Sequence, residues 1–208
     1  MERQQVSRKV RSEERREQVL ERMTAVFAKR GYQAATIDHL IAGGKISMGG
    51  FYKDFDGKED CFVQVYDRVI AGFRKRFAEA TPERCDWGSQ IAIGLRTLVE
   101  FAADEPMAAR VVLLEAQTGG ALALARYNAT LHDAAALLRR GRKETSAAQQ
   151  RPDSFEDATL SGLLWLLQTR LAHGRIEDPD ELWPHMAKMA LEPYLGRARA
   201  DQILRANS

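Results

Sequence analysis

The stretch from Arg15 to Phe55 constrains the fold more than any other part of this 208-residue chain. It reads RREQVLERMTAVFAKRGYQAATIDHLIAGGKISMGGFYKDF, a long amphipathic helix followed by two very short helical pieces. Val19, Met23, Val26 and Phe27 fall on one helical face, and Gly31 stops that helix. Thr36 with Asp38 opens the next, Ile37, Leu40 and Ile41 give it an apolar side, and Gly43 and Gly44 end it. Ser47 can then cap a third helix running through Phe51 and Tyr52. A supporting helix from Thr36 to about Ala42, a turn over Gly43 to Ile46 and a reader from Ser47 to Tyr52 are the parts of a helix-turn-helix.

Upstream, Arg3, Arg8, Lys9 and Arg11 lie in a polar stretch without apolar periodicity, which reads as a flexible basic arm. Ser12 with Glu13 and Glu14 marks the expected start of the first helix. Charge is distributed unevenly. Met1 to Lys58 holds 12 Lys and Arg against 8 Asp and Glu, whereas the remainder holds 19 against 21. A basic head on a slightly acidic body suits a polyanion bound at one end.

After the head, Asp56 and Glu59 stand three apart as in a capping box. Phe62, Tyr66, Val69, Phe73 and Phe77 follow as an apolar stripe that must bury against something large, and Pro82 closes that helix. The pattern stays helical over Ser89 to Ala103, Pro106 to Thr118 and Ala121 to Arg142, passes an exposed loop from Thr145 to Ser154, and ends with helices over Phe155 to His173 and Asp180 to Leu195. No β-type alternation and no repeat interrupts it. The expected fold is all-α, with a head over residues 1–58 and a helical body over residues 59–208.

The stretch from about Arg15 to Phe77 resembles the DNA-binding domain of the TetR family of transcriptional regulators. The residues that carry the resemblance are Ala25, Phe27, Arg30-Gly31-Tyr32, Thr36, Ile37, Ile46-Ser47, Gly49, Phe51-Tyr52, Phe55, Lys58 and Glu59. The resemblance implies a homodimer that binds a palindromic duplex operator and is released when a small molecule enters the body. It places Tyr52 and Lys58 on phosphates, and Ser47, Met48, Gly49 and Gly50 on the leading turn of the reader. Thr36, Lys45 and Lys53 complete the candidate DNA-facing set, with Lys53 neutralising phosphate. Two departures stand out: Lys45 occupies a turn position where the family usually has glycine, and Lys53-Asp54 replaces the usual polar pair after the tyrosine.

In the body, Phe101, Met107, Leu114, Tyr127, Leu131 and Trp165 sit on the middle helices where an apolar cavity would form. Gln117, Gln168, Asn128 and His132 are the polar groups there that could orient an effector. Leu160, Leu163, Leu164, Leu167 and Leu171 make one apolar face of the helix starting at Phe155, while Trp165 and Leu166 point elsewhere. Together with Leu182, Met186, Met189 and Ala190 of the last helix they suggest a dimer surface, with Leu163 and Leu167 inside it.

Catalysis is not expected. Gly44-Lys45 lacks the rest of a phosphate loop, and GxGxxG, HExxH and GxSxG are missing. Cys61 and Cys85 have no metal or redox spacing, and His39, His173 and His185 have no second ligand at i+4, so neither a metal nor a cofactor is expected. The strongest apolar run, Leu163 to Leu167, is far short of the roughly 20 residues that span a bilayer. A cytoplasmic regulator is the leading expectation; a helical interaction protein with the same fold but no DNA affinity is the alternative.

Overall fold

The computed structural model describes residues 2–174, 176 and 178–207, and every regular element among them is helical. In the head, α1 (Glu2–Ala34) carries α2 (Ile37–Gly44) and α3 (Met48–Asp54). Met23, Phe27, Leu40, Phe51, Phe55 and Phe62 are fully buried between these helices and the start of α4 (Lys58–Ala80). The helical run of α1 is broken at Gly31, whose φ of 74° lies in the left-handed region. The expected start at Ser12 and the flexible arm before it are not what the backbone does: α1 begins at Glu2. Arg, Glu, Gln and Lys are good helix formers, and neither Gly nor Pro interrupts residues 2–11. The side chains of Arg3, Arg8 and Lys9 lie outside the described residues.

The body begins where α4 passes between α5 (Trp87–Asp104) and α7 (Ala121–Arg139). Phe62, Tyr66 and Val69 of its stripe are buried, while Phe73 and Phe77 are half-buried. The expected capping box at Asp56 and Glu59 does not form. Instead the Asp60 carboxylate accepts the Asp56 N–H at 3.0 Å, and Glu59 reaches into the body.

The expected helix from Pro106 to Thr118 is broken into α6 (Pro106–Arg110), a π-turn over Val111–Glu115 and a 3-10 turn over Ala116–Thr118. In the expected loop, residues Ser146–Gln149 form α8. Then α9 (Phe155–Ala172) packs on α7, and α10 (Pro179–Leu195) packs on α5. A final helix, α11 (Arg197–Ala206), was not expected; Ala200, Ile203 and Leu204 seat it against α10 and α5. Leu163 and Leu167 are buried within the chain itself, so the expectation that they form a subunit interface is overturned. The outward side of α9 presents Trp165 instead, 62% exposed.

A buried carboxylate ties the lower body together. Glu156 accepts from Arg142 at 2.7 and 2.9 Å and from the Tyr194 hydroxyl at 2.9 Å. Burial alone would raise its pKa, but the Arg142 and Tyr194 hydrogen bonds outweigh that and hold the carboxyl below its usual range. A depressed pKa contributes stability that is complete above the unfolded value, about 4.3, and is lost as pH falls through the folded one. Chemical denaturation between pH 6 and pH 3 is therefore expected to show a decline below about pH 4 that is shallower in Glu156→Gln.

Candidate DNA-binding head and ligand cavity

The turn between α2 and α3 explains the Gly43-Gly44-Lys45 sequence. A Cβ at Gly43 would stand 2.2 Å from Val26 Cγ2, so this glycine lets α2 close on α1 and does not make the turn. The turn itself falls on Lys45, at φ 55° and ψ 47°. Its N–H goes to Ala42 and that of Ile46 to Ile41, a Schellman-type ending with lysine where glycine is usual. Left-handed backbone costs a side-chain-bearing residue about 1 kcal/mol. Lys45→Gly is expected to raise stability by about 0.5–1 kcal/mol in thermal melts while weakening binding to any duplex through the lost cation.

Thr36 caps α2: its hydroxyl accepts the His39 N–H, and the His39 ring accepts the Thr36 N–H, both at 3.3 Å. Ser47 caps α3 by accepting the Gly50 N–H at 3.1 Å. The reader therefore begins where the sequence placed it. Met48 and Tyr52 are 50% and 55% exposed, Lys45, Gly49 and Lys53 are exposed, and Gly50 is half-buried against Ser47 and Ile46. Nothing lies within 4 Å of a Cβ placed on Gly49. Glycine there weakens the helix by about 1 kcal/mol relative to alanine, with no packing reason inside the molecule.

Lys58 is also held within the head. Its amine donates to the carbonyls of Tyr32 and Ala35, both at 3.1 Å, and sits 4.3 Å above the centre of the Tyr32 ring. Of three N–H donors, two hold the corner between α1 and α2, which leaves one for a phosphate.

Behind the head lies an apolar cavity of about 190 Å³, bounded by α4, α5, the π-turn, α7 and α9. Of the eight expected effector residues, Phe101, Tyr127 and Leu131 line it. Gln117 and Gln168 stand one layer back, with their amides on the Tyr127 hydroxyl at 3.4 and 3.5 Å. Leu114 is half-buried away from the cavity, and Met107 and Trp165 are exposed on outer faces. Asn128 and His132 are likewise exposed, because α7 turns that side to solvent. The sequence reading missed the lining by Tyr66, Phe73 and Phe77, although their stripe on α4 was visible as an apolar face in need of cover.

Head and body are joined by polar contacts that no sequence motif announces. Glu115, ending the π-turn, accepts the Tyr32 N–H at 2.8 Å, and Gln33 donates to the Thr118 carbonyl at 3.0 Å. Glu59 accepts the Leu122 N–H at the start of α7, at 2.8 Å. Val112 and Leu113, in the same π-turn as Glu115, line the cavity.

Residues 19–65 match the family of bacterial regulatory proteins described as the tetR family. No curated protein matches the chain by sequence. Among solved structures, the fatty acid degradation regulator FadR from Bacillus halodurans is 17% identical with a TM-score of 0.69, over 84% of this chain and 93% of that one. The FadR regulator from Bacillus subtilis, in complex with stearoyl-CoA, is 16% identical with a TM-score of 0.67, over 86% and 98%. AibR, in complex with isovaleryl coenzyme A and operator DNA, is 13% identical with a TM-score of 0.68, over 84% and 97%. At such identities the shared feature is the fold, helical body included. The head thus matches the tetR family of bacterial regulatory proteins by sequence over residues 19–65, and the chain as a whole shares its fold with the regulators just named.

Proposed function

We propose that this protein is a repressor that binds a near-palindromic duplex operator as a homodimer and leaves it when a small apolar or aromatic molecule enters the body cavity. The observation that carries this reading is the exposed leading turn of α3. Met48, Gly49, Tyr52 and Lys53 are presented to solvent beside a turn that carries Lys45. Ser47 to Gly50 would approach base edges, and Thr36, Lys45, Tyr52, Lys53 and the remaining N–H of Lys58 would meet phosphates. Residues 1–58 would act as the DNA head and residues 59–208 as the sensing and dimerising body. The outward side of α9 and α10, where Trp165 is 62% and Met189 49% exposed, would face the second copy.

The response would travel through the π-turn. Ligand pressing on Val112 and Leu113 changes the setting of Glu115, which holds the Tyr32 N–H of the head. A ligand acts only through its differential affinity for the two head settings, and coupling of about 1–3 kcal/mol is typical.

Selection of bound sequences from a random duplex pool tests the reading. Enriched sites should carry inverted half-sites whose centres are about 34 Å apart or a multiple of it. Affinity should fall steeply with salt. Enrichment without inverted symmetry would reject the dimeric reader, and no enrichment with no salt dependence would favour a helical interaction protein.

A further inference from the structure

The head carries a second basic surface that the proposed function leaves unused. Arg22, Lys29 and Arg30 of α1 and His39 of α2 line an open groove of about 390 Å³ between the two helices. No Asp or Glu lines it, and no residue of α3. The core of the head lies on the other side of α1 and α2, where Met23, Phe27 and Leu40 are buried with Phe51 of α3. Arg22, Lys29 and Arg30 are exposed, and among the described residues none of them has an ion pair. Cations of the body are matched by neighbours instead: Arg74 meets Asp133 at 2.9 Å, Arg76 meets Asp104 at 2.6 Å and Lys188 meets Asp201 at 2.7 Å. Like charges gathered in one groove repel one another, and such a groove concentrates anions.

Its place along α2 says which anion. At one end, His39 also accepts the Thr36 N–H through Nδ1 at 3.3 Å; at the other, Arg22 donates to the Gly44 carbonyl at 3.5 Å, next to Lys45. Thr36 and Lys45 are residues that the proposed function sets on phosphates, and this inference rests on that reading. In a helix-turn-helix the helix before the reader crosses the phosphate backbone. Here that helix is α2, so a strand crossing it at Thr36 or Lys45 continues onto the flank where the groove lies. Arg22 and Arg30 are set about 12 Å apart along α1 by the helical rise of about 1.5 Å per residue. A run of phosphates fits that span better than a single small anion.

We propose that Arg22, Lys29 and Arg30 form a second contact of the head with its duplex, holding phosphates beyond the base pairs that α3 reads. Arg22 gives one N–H to Gly44 and has the rest of its guanidinium for phosphate. Such a contact positions the head and adds affinity without sequence preference.

Lys29→Gln with Arg30→Gln tests this in the full-length protein, since both side chains are exposed and neither makes a hydrogen bond among the described residues. Arg84→Gln with Lys143→Gln, two exposed cations of the body, is the charge-matched control. The probe is the duplex enriched from the random pool, titrated over a range of salt. Each phosphate contact contributes about 0.9 of a decade in affinity per tenfold in salt, so the groove variant should flatten the salt slope by about 1.8. With that contribution vanishing near about 1 M salt, the variant should bind roughly sixtyfold more weakly at about 0.1 M, and the control should stay within about twofold of the unmodified protein. Sequence preference should not change. Ethylation interference should show phosphates outside the base pairs under α3 that matter to the unmodified protein and not to the groove variant. An unchanged slope and interference pattern would overturn the contact while leaving the reader and its operator, and would hand the groove to an acidic protein or a free anion. An equal loss in the control would reduce the effect to net charge and overturn the contact too. An unmodified protein that binds no duplex would overturn the proposed function and this inference together.

Discussion

Leu167→Glu is expected to leave no folded protein, whereas Trp165→Glu, two residues earlier on the same helix, is expected to give a folded monomer. Leu167 is fully buried inside the chain, so a carboxylate there would be desolvated with no partner. That cost, several kcal/mol, takes up most of the roughly 5–15 kcal/mol that holds a domain together. Trp165 is 62% exposed, and a charge at such a position changes the stability of a single chain by about 0.5 kcal/mol or less. If α9 faces the second copy, the same charge at the centre of that face should weaken dimerisation at least tenfold. Circular dichroism separates the two variants, and sedimentation shows the subunit state of the second. A fully dimeric Trp165→Glu would move the interface away from α9.

Gly49→Glu is expected to separate stability from DNA binding in opposite directions. Gly49 is the second residue of α3, and a Cβ there meets nothing. Replacing glycine by glutamate in the first helical turn removes a backbone-entropy cost and places an acid at the positive end of the helix dipole. A stability gain of about 0.5–1.5 kcal/mol is expected. The same carboxylate would stand where the reader approaches the duplex, so affinity for every sequence should fall by about a hundredfold or more. Thermal melts and duplex titration at one salt concentration measure both. Unimpaired binding by the stabilised variant would place the leading turn of α3 away from DNA.

The head was legible because its signals are local. Ser47 and Thr36 cap the helices they were expected to cap, and the break at Gly31 follows from its left-handed backbone. Lys45 was legible as an oddity but not as a geometry, since nothing in one sequence says whether glycine or lysine takes the left-handed position. The body was less legible for physical reasons. Apolar residues on α9 at helical spacing fit a core or an interface equally well, and only the packing of α7 and α10 around that helix decides for the core at Leu163 and Leu167. The π-turn at Val111–Glu115 has no composition that distinguishes it from α-helix. Within it Leu114 is turned away from the cavity and Glu115 reaches the head. The basic stretch before Ser12 lacked apolar periodicity, and its backbone is helical because propensity alone favours it.

The junction at Gly120 has a consequence for anyone who would recombine this protein with another regulator. Gly120 sits at φ 102°, and a Cβ on it would stand 2.4 Å from the Glu59 carboxylate, which holds the first turn of α7. Transplanting the reader by cutting the gene between codons 58 and 59 would leave Glu59 with the recipient body but separate Tyr32 and Gln33 from Glu115 and Thr118. A chimera that inherits a foreign head therefore needs, in that head, a main-chain N–H set as that of Tyr32 is and a donor side chain at position 33 to meet Glu115 and the Thr118 carbonyl, or the proposed coupling of body to head is lost. Modularity in this fold is a property of the contact set across the seam, and the point at which the chain is cut does not by itself create it.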